Sequence, residues 1–220
     1  PLGWTSFDVV KKVRRILGIK KIGHAGTLDP LATGVLVLLT GKDTKEQSEI
    51  MQLEKEYIAD VAFGGVSETY DLELPLNFSD IIPTIEEINE TLPGVLKKYI
   101  GEISQKAPAY SAKKVRGQRL YKAARSGNIN PDDIPVKRIT IYQIEVLSHT
   151  DRIYNGINNE TKVLPTFKIK VRCSSATYIR SLAYDIAEDL GCGNKEDGVV
   201  RLRLGSYTLE DSKTLKELES

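Results

Sequence analysis

Residues 23–34 (GHAGTLDPLATG) carry the combination of residue types that best supports chemistry. The single carboxylate of this segment, Asp29, precedes Pro30, which biases Asp29 toward an extended conformation and fixes the next φ angle. Glycines on both sides allow close approaches and backbone conformations that other residues resist. We therefore expect a stiff loop that holds Asp29 beside the strand that follows. The alternative is a plain turn in which Asp29 hydrogen-bonds its own backbone.

A histidine and the start of a predicted helix supply further candidates. His24 can transfer protons near neutral pH or stack on a nucleobase. Tyr178 and Arg180 lie near the N-terminus of the helix, where a cation is unfavourable beside the positive end of the helix dipole. An anionic partner would explain Arg180. The alternatives are a structural, hydrogen-bonding histidine and a solvent-facing arginine.

The sequence contains none of the short motifs that bind nucleotide phosphates or catalytic zinc, so we expect no cofactor and no metal. Cys173 and Cys192 lack the spacing of zinc ligands or of a disulfide framework, which favours a reducing, cytoplasmic compartment. No signal peptide is visible, and the longest apolar run is much too short for a membrane span.

The nearly neutral total charge conceals an uneven distribution. The 220 residues include 31 Lys and Arg and 30 Asp and Glu, but residues 56–96 hold nine acids and no basic residue. Basic residues cluster without acids in 11–21 (KKVRRILGIKK) and 113–125 (KKVRGQRLYKAAR). Such clusters are typical of surfaces that bind polyanions. The alternative is a set of separate, solvated helix faces.

Apolar periodicity predicts the elements that must position these side chains. It predicts helices near residues 7–17, 43–53, 85–92, 120–126 and 178–190, and strands near 35–40, 57–63, 111–115, 136–147, 166–173 and 199–204. Residues 22–34 are predicted as a loop. The pattern favours an α+β (mixed α/β) fold with a central, mostly antiparallel sheet and flanking helices. We expect one catalytic domain over 1–220, with an insertion-like acidic segment at about 64–100.

Residues 23–34 resemble the catalytic-loop signature of the TruB-type tRNA pseudouridine synthases. Other segments match motifs of this family in the family order: 1–6 (PLGWTS), Tyr57 within 55–57 (KEY), 108–121 (PAYSAKKVRGQRLY), 177–182 (TYIRSL) and 201–205 (RLRLG). Any one match alone is weak. Together they cover the chain from its first residue to about residue 207.

The resemblance implies a pseudouridine synthase fold and a cofactor-free isomerisation of uridine 55 in the T loop of tRNA to pseudouridine. Asp29 corresponds to the essential aspartate, which either attacks covalently or drives glycal formation; carboxylates fill comparable roles at anomeric carbons in glycosidases. Tyr57 corresponds to the residue that stacks on the target base and is a candidate to remove the C5 proton. Arg180 corresponds to the partner that orients the catalytic carboxylate.

The resemblance also implies how the substrate is held. The partner is the T arm of tRNA, whose target base must be flipped out of its stack. No membrane and no obligatory protein partner are expected. The substrate-binding residues implied by the resemblance and the basic clusters are His24, Gly26, Thr27, Tyr178, Lys113, Arg116, Arg119 and Arg201.

The sequence departs from the family pattern in residues 67–74 (SETYDLEL). Thr69 and Asp71 match that pattern, but Leu74 stands where a glycine is expected. We expect the acidic segment to face away from RNA. The chain ends at Ser220, and we expect no appended C-terminal RNA-binding domain.

Two other functions are consistent with a basic surface. A tRNA-binding or chaperone protein would open the tRNA elbow and would give Asp29 no necessary task. A DNA glycosylase-like activity would need a second carboxylate to activate water, and none is evident.

Overall fold

The fold is described by a computed structural model covering residues 1–71, 73–111, 113–115, 118–126, 130–192 and 194–219. The helices are α1 (Ser6–Leu17), α2 (Gln47–Gln52), α3 (Ile85–Tyr99), α4 (Leu120–Arg125), α5 (Ile179–Leu190) and α6 (Leu215–Glu219). The strands are β1 (Ile22–Ala25), β2 (Ala32–Gly34), β3 (Val37–Thr40), β4 (Lys55–Phe63), β5 (Gly65–Val66), β6 (Asn77–Phe78), β7 (Gly101–Lys106), β8 (Lys114–Val115), β9 (Gln118–Arg119), β10 (Val136–Asn155), β11 (Thr161–Cys173), β12 (Asn194–Leu204) and β13 (Tyr207–Thr208).

A central sheet organises the chain. Among the described residues it has seven strands in the order β13-β12-β4-β11-β10-β7, with β2 attached to β12. The β2–β12 pair is parallel, and the pairs along the main path are antiparallel. This architecture confirms the predicted α+β class with a mostly antiparallel sheet.

Helices α3 and α5 pack against one face of the sheet and enclose the principal core. From the acidic segment, α3 contributes four buried side chains to that core: Ile88, Leu92, Val95 and Leu96. Residues 64–100, expected to be insertion-like, therefore include a helix on which the main core depends. A smaller cluster joins β1 and β3 to α2, and α1 packs with α6 over Ile22.

Capping boxes define the starts of α1 and α3. The Thr5 hydroxyl accepts a hydrogen bond from the Asp8 amide, and the Asp8 carboxylate accepts one from the Thr5 amide. Thr84 and Glu87 form the same capping box at α3. Helix α3 continues past Pro93, where the sequence predicted its end, because the side chains beyond the proline are buried in the core.

Several strands extend beyond or appear outside the predicted ranges. Strands β10 and β11 pair from Ile141 and Cys173 out to Asn155 and Thr161 as a long hairpin. The outer part of this hairpin is polar and largely exposed, so hydropathy did not reveal it. Residues 22–34, predicted as a loop, contain β1 and β2, which are too short to show alternation. Strand β7 was not predicted.

Candidate active site

The loop that carries Asp29 joins β1 to β2 and is fixed at both ends. The Ser6 hydroxyl donates to the Leu28 carbonyl (3.2 Å) and accepts from the Leu28 amide (2.9 Å). The Gly3 amide donates to the Pro30 carbonyl at 2.7 Å, and β2 pairs with β12 on the far side. The loop therefore bridges the start of α1 and the central sheet, which gives Asp29 a defined position.

Gly34 allows the end of this loop to lie directly on β12. Its φ angle is +101°, and a Cβ built there would lie 2.2 Å from the Arg201 carbonyl oxygen. The Val35 amide donates to the same oxygen at 2.9 Å. Only glycine fits this contact without displacing the backbone.

Arg180, in the first turn of α5, connects two carboxylates. Its Nη2 lies 3.0 Å from Asp29 Oδ2, and its Nη1 lies 3.3 Å from Asp71 Oδ2. The Arg180 and Asp71 side chains are only 6% and 5% exposed, whereas that of Asp29 is 49% exposed. Nη1 also donates to the Thr69 carbonyl, and Nη2 to the Tyr110 carbonyl. The buried Arg180 guanidinium thus pairs with one buried carboxylate, that of Asp71, and with one half-exposed carboxylate, that of Asp29.

Asp71 matches the family pattern, but the sequence analysis assigned it no role in the site. It belongs to the acidic segment, which was expected to face away from RNA, yet its side chain enters the site at Arg180. The Ser67 hydroxyl donates to the Asp71 carbonyl at 2.6 Å, and Asp71 Oδ1 accepts from the Glu73 amide. The sequence feature that could have identified Asp71 as a site residue was the match of Thr69 and Asp71 to the family pattern.

Tyr57 lies in β4 between Val171 of β11 and Arg201 of β12. Its side chain is buried, and burial raises the pKa of its hydroxyl to about 12, with a further contribution from Asp29 and an opposing hydrogen bond from Arg201. The phenol is therefore protonated near neutral pH. The resting hydroxyl is therefore a weak base, and the stacking role of the ring stays a prediction.

Arg201 was expected among the substrate-binding residues, but the structure directs it to the protein interior. It is 1% exposed; its Nε donates to the Val35 carbonyl (2.7 Å) and its Nη2 to the Gly26 carbonyl (2.9 Å). Since its guanidinium bonds both ends of the Asp29 loop, Arg201 positions that loop, and its role toward substrate stays a prediction.

The other expected pocket residues lie in β1, in the loop that follows it and at the start of α5. His24 is half-buried in β1, and burial, followed by the charge of Arg201, lowers its pKa and favours the neutral ring. Tyr178 lies where Asp29 and Arg180 both affect its hydroxyl, whose pKa is raised mainly by burial. Gly26 has a φ angle of +79° and lies against Arg201, whereas Thr27 is exposed at the loop surface.

The structure describes residues 113–115 and 118–125 of the basic segment 113–125. Lys113 is half-buried, and burial together with the nearby charge of Lys137 lowers its pKa. Arg119 belongs to β9. Arg116 lies outside the described residues. Their roles toward RNA remain predictions.

Neither a metal centre nor a membrane helix is visible in the part of the chain that the structure describes. No group of three or more His, Cys, Asp or Glu side chains there is arranged to hold a metal ion. No described helix is both long and apolar enough to cross a bilayer. The side chains that the structure places at this site are those of Asp29, Arg180, the buried Tyr57 and the half-buried Tyr178.

The fold and the family match place the chain in the class of pseudouridine synthases. A crystallised Cbf5–Nop10–Gar1 complex contains a chain with TM-score 0.64 and 28% sequence identity to this one. The match covers 94% of this chain and 47% of that one, so this chain spans about half of its structural relative.

The chain belongs to the TruB family of pseudouridylate synthases. Residues 14–179 match the N-terminal domain of this family. A protein of Protochlamydia amoebophila named tRNA pseudouridine synthase B is 41% identical over 96% of this chain and 74% of that protein. A protein of Phocaeicola vulgatus with the same name is 43% identical over 96% of this chain and 85% of that protein.

Proposed function

We propose that this chain converts uridine 55 in the T loop of tRNA into pseudouridine, with Asp29 as the catalytic carboxylate. The observation that carries the proposal is the half-exposed Asp29 carboxylate held 3.0 Å from the buried Arg180 guanidinium. Family membership supports the reaction type, and the names of the curated relatives support tRNA as substrate.

The reaction breaks the C1′–N1 glycosidic bond, turns the uracil and forms a C1′–C5 bond, after which C5 loses its proton and N1 gains one. Asp29 acts at the sugar, either as a nucleophile at C1′ or as the base that leads to a glycal. Arg180 fixes the direction of the Asp29 carboxylate through a charge-assisted contact. Tyr57 stacks on the base, which must leave the T-loop stack to reach the site.

Surface charge supports the tRNA partner. The helix α1 presents several lysines and arginines from the cluster 11–21, and the segment 113–125 adds a second basic group. Contacts of these groups with RNA phosphates would make binding weaken steeply as salt rises. We propose that the chain acts on tRNA in the cytoplasm and that it needs no obligatory protein partner.

The test is release of tritium from C5-labelled uridine in an unmodified tRNA transcript by the purified chain. We expect release by the wild type, no release by Asp29→Asn, and no release from a transcript with cytidine at position 55. Asp151→Asn, which alters an exposed aspartate on the β10–β11 hairpin, is the matched control and should remain active.

Binding and unfolding measurements separate the alternatives. Asp29→Asn should bind tRNA with the wild-type Kd and unfold at the wild-type temperature, because Asp29 is half-exposed. Salt-sensitive tRNA binding by the wild type without tritium release would refute the catalytic proposal and favour a binding or chaperone role.

A further inference from the structure

The side chain of Gln105 is bonded at both of its polar atoms to one residue of the site. Gln105 Oε1 accepts a hydrogen bond from the Tyr178 amide at 2.8 Å, and Gln105 Nε2 donates one to the Tyr178 carbonyl at 3.0 Å. Gln105 is 2% exposed and lies in the edge strand β7. Its side chain therefore pairs with the backbone of Tyr178 as a neighbouring β-strand would.

The contact between Gln105 and Tyr178 lies at the N-terminus of α5. Tyr178 is the N-cap residue of α5, and the helix has no side-chain cap at this end. The preceding turn is tied to β10, because the Thr140 amide donates to the Ser174 hydroxyl and the Ser174 amide to the Thr140 carbonyl. Gln105 holds the N-cap residue itself. Arg180 follows Tyr178 by two residues, so fixing the Tyr178 backbone also fixes the start of the Arg180 side chain.

The strand that carries Gln105 also leads into a second contact with Arg180. Beyond β7 the chain reaches Tyr110, whose carbonyl accepts a hydrogen bond from Arg180 Nη2 at 3.3 Å. The charges of Asp29 and Arg180 also act on the Tyr178 hydroxyl. The chain from Gln105 to Tyr110 therefore contacts the start of α5 twice, at the Tyr178 backbone and at the Arg180 guanidinium.

We propose that Gln105 is a positioning residue, which sets the Arg180–Asp29 contact by holding the Tyr178 backbone. The inference rests on the proposed function, because it assigns Gln105 to the same reaction. To pair with the amide and the carbonyl of Tyr178, the side chain at position 105 needs an acceptor and a donor side by side. A primary amide provides both, and so does a protonated carboxyl group, but a carboxylate offers only acceptors.

The first experiment compares Gln105→Met with the wild type and with Gln143→Met. Methionine has a similar length but cannot donate or accept strongly, and Gln143 is an exposed glutamine on β10. Displacement of catalytic groups by about 1 Å costs on the order of 100-fold in rate. We expect Gln105→Met to lose about 10- to 100-fold in kcat, with KM and the tRNA Kd within about three-fold of the wild type. Gln143→Met should retain the wild-type kcat.

The second experiment separates positioning from a general loss of stability. In Gln105→Glu the protonated side chain reproduces both hydrogen bonds, and ionisation replaces the donor by a repulsive contact with the Tyr178 carbonyl. Burial raises the pKa of such a carboxyl group into the range of about 5 to 8. The kcat of Gln105→Glu, divided by that of the wild type, should therefore fall about ten-fold or more as pH rises through this range.

Two results would overturn the inference. One is a Gln105→Met enzyme with wild-type kcat, and the other is a kcat ratio for Gln105→Glu that does not change with pH. Both require an active wild type, so they are distinct from a failure of the proposed function, in which the wild type itself releases no tritium.

Discussion

The buried guanidinium of Arg180 contacts the half-exposed carboxylate of Asp29 at 3.0 Å. The arginine is fixed from the opposite side by Asp71 and by two backbone carbonyls, so Asp29 can move away from the pair more easily than Arg180 can. The arrangement orients the Asp29 carboxylate and leaves it half-exposed to solvent.

Replacing this arginine by lysine should impair the reaction strongly. Arg180→Lys keeps one positive charge but loses the planar fork that reaches Asp29, Asp71 and two carbonyls together. We expect single-turnover tritium release to fall by about 100-fold or more. Arg138→Lys, which alters an exposed ion pair with Glu102, is the matched control and should keep its rate. Equal rates for both variants would contradict the role of the fork.

The resemblance led us to expect the contact of Arg180 with Asp29, which the structure contains, but not its contact with Asp71. The spacing around Asp29 and the position of Arg180 at a helix start were visible, because both depend on neighbours in the chain. The contact between Arg180 and Asp71 depends on residues that only the folded chain brings together. The acidic composition of residues 56–96 therefore concealed an aspartate that faces the site.

Arg201 and Gln105 show why residue type alone does not determine role. Arg201 has the charge expected of a phosphate ligand, but the register of β12 against β4 turns it to the interior beside Tyr57. Gln105 lies in an edge strand that hydropathy did not indicate, because that strand is short and mostly polar. Both roles follow from sheet pairing between distant segments.

The contact between Gly34 and β12 predicts a large loss of stability on adding one methyl group. In Gly34→Ala the new Cβ would lie 2.2 Å from the Arg201 carbonyl oxygen, and φ would remain at +101°. We expect the free energy of unfolding in urea to fall by about 3 kcal/mol or more. In the control Gly41→Ala, φ is +53° and no atom lies within 4 Å, so the cost should be about 1 kcal/mol. Equal losses of unfolding free energy in the two variants would show that the positive φ angle, and not the contact with β12, is the reason that residue 34 must be glycine.

The ionisation of Tyr57 should occur at unusually high pH. Burial favours the neutral phenol and raises its pKa to about 12 from an unfolded value near 10. For an acid with a raised pKa, the stability that the folded environment adds is complete below pH 10 and is lost as pH rises toward 12. Absorbance at 295 nm should therefore show the same number of phenolates in the wild type and in Tyr57→Phe at pH 10. A wild-type excess with a midpoint near pH 10 would contradict this prediction.

The raised pKa of Asp185, on α5 but outside the contacts of Arg180, predicts a pH-dependent change in stability. Burial and the neighbouring Asp189 and Glu188 raise the pKa of Asp185 to about 6, above its unfolded value. The folded protein therefore favours the protonated form, so ionisation destabilises it at pH 7 and this penalty disappears as pH falls toward 4. Allowing for partial exposure, Asp185→Asn should raise the free energy of unfolding at pH 7 by about 1 kcal/mol. The gain should vanish near pH 4 in urea unfolding, whereas Asp151→Asn should show no comparable pH-dependent gain. A gain for Asp185→Asn that stays constant between pH 7 and pH 4 would mean that packing, and not charge, is responsible.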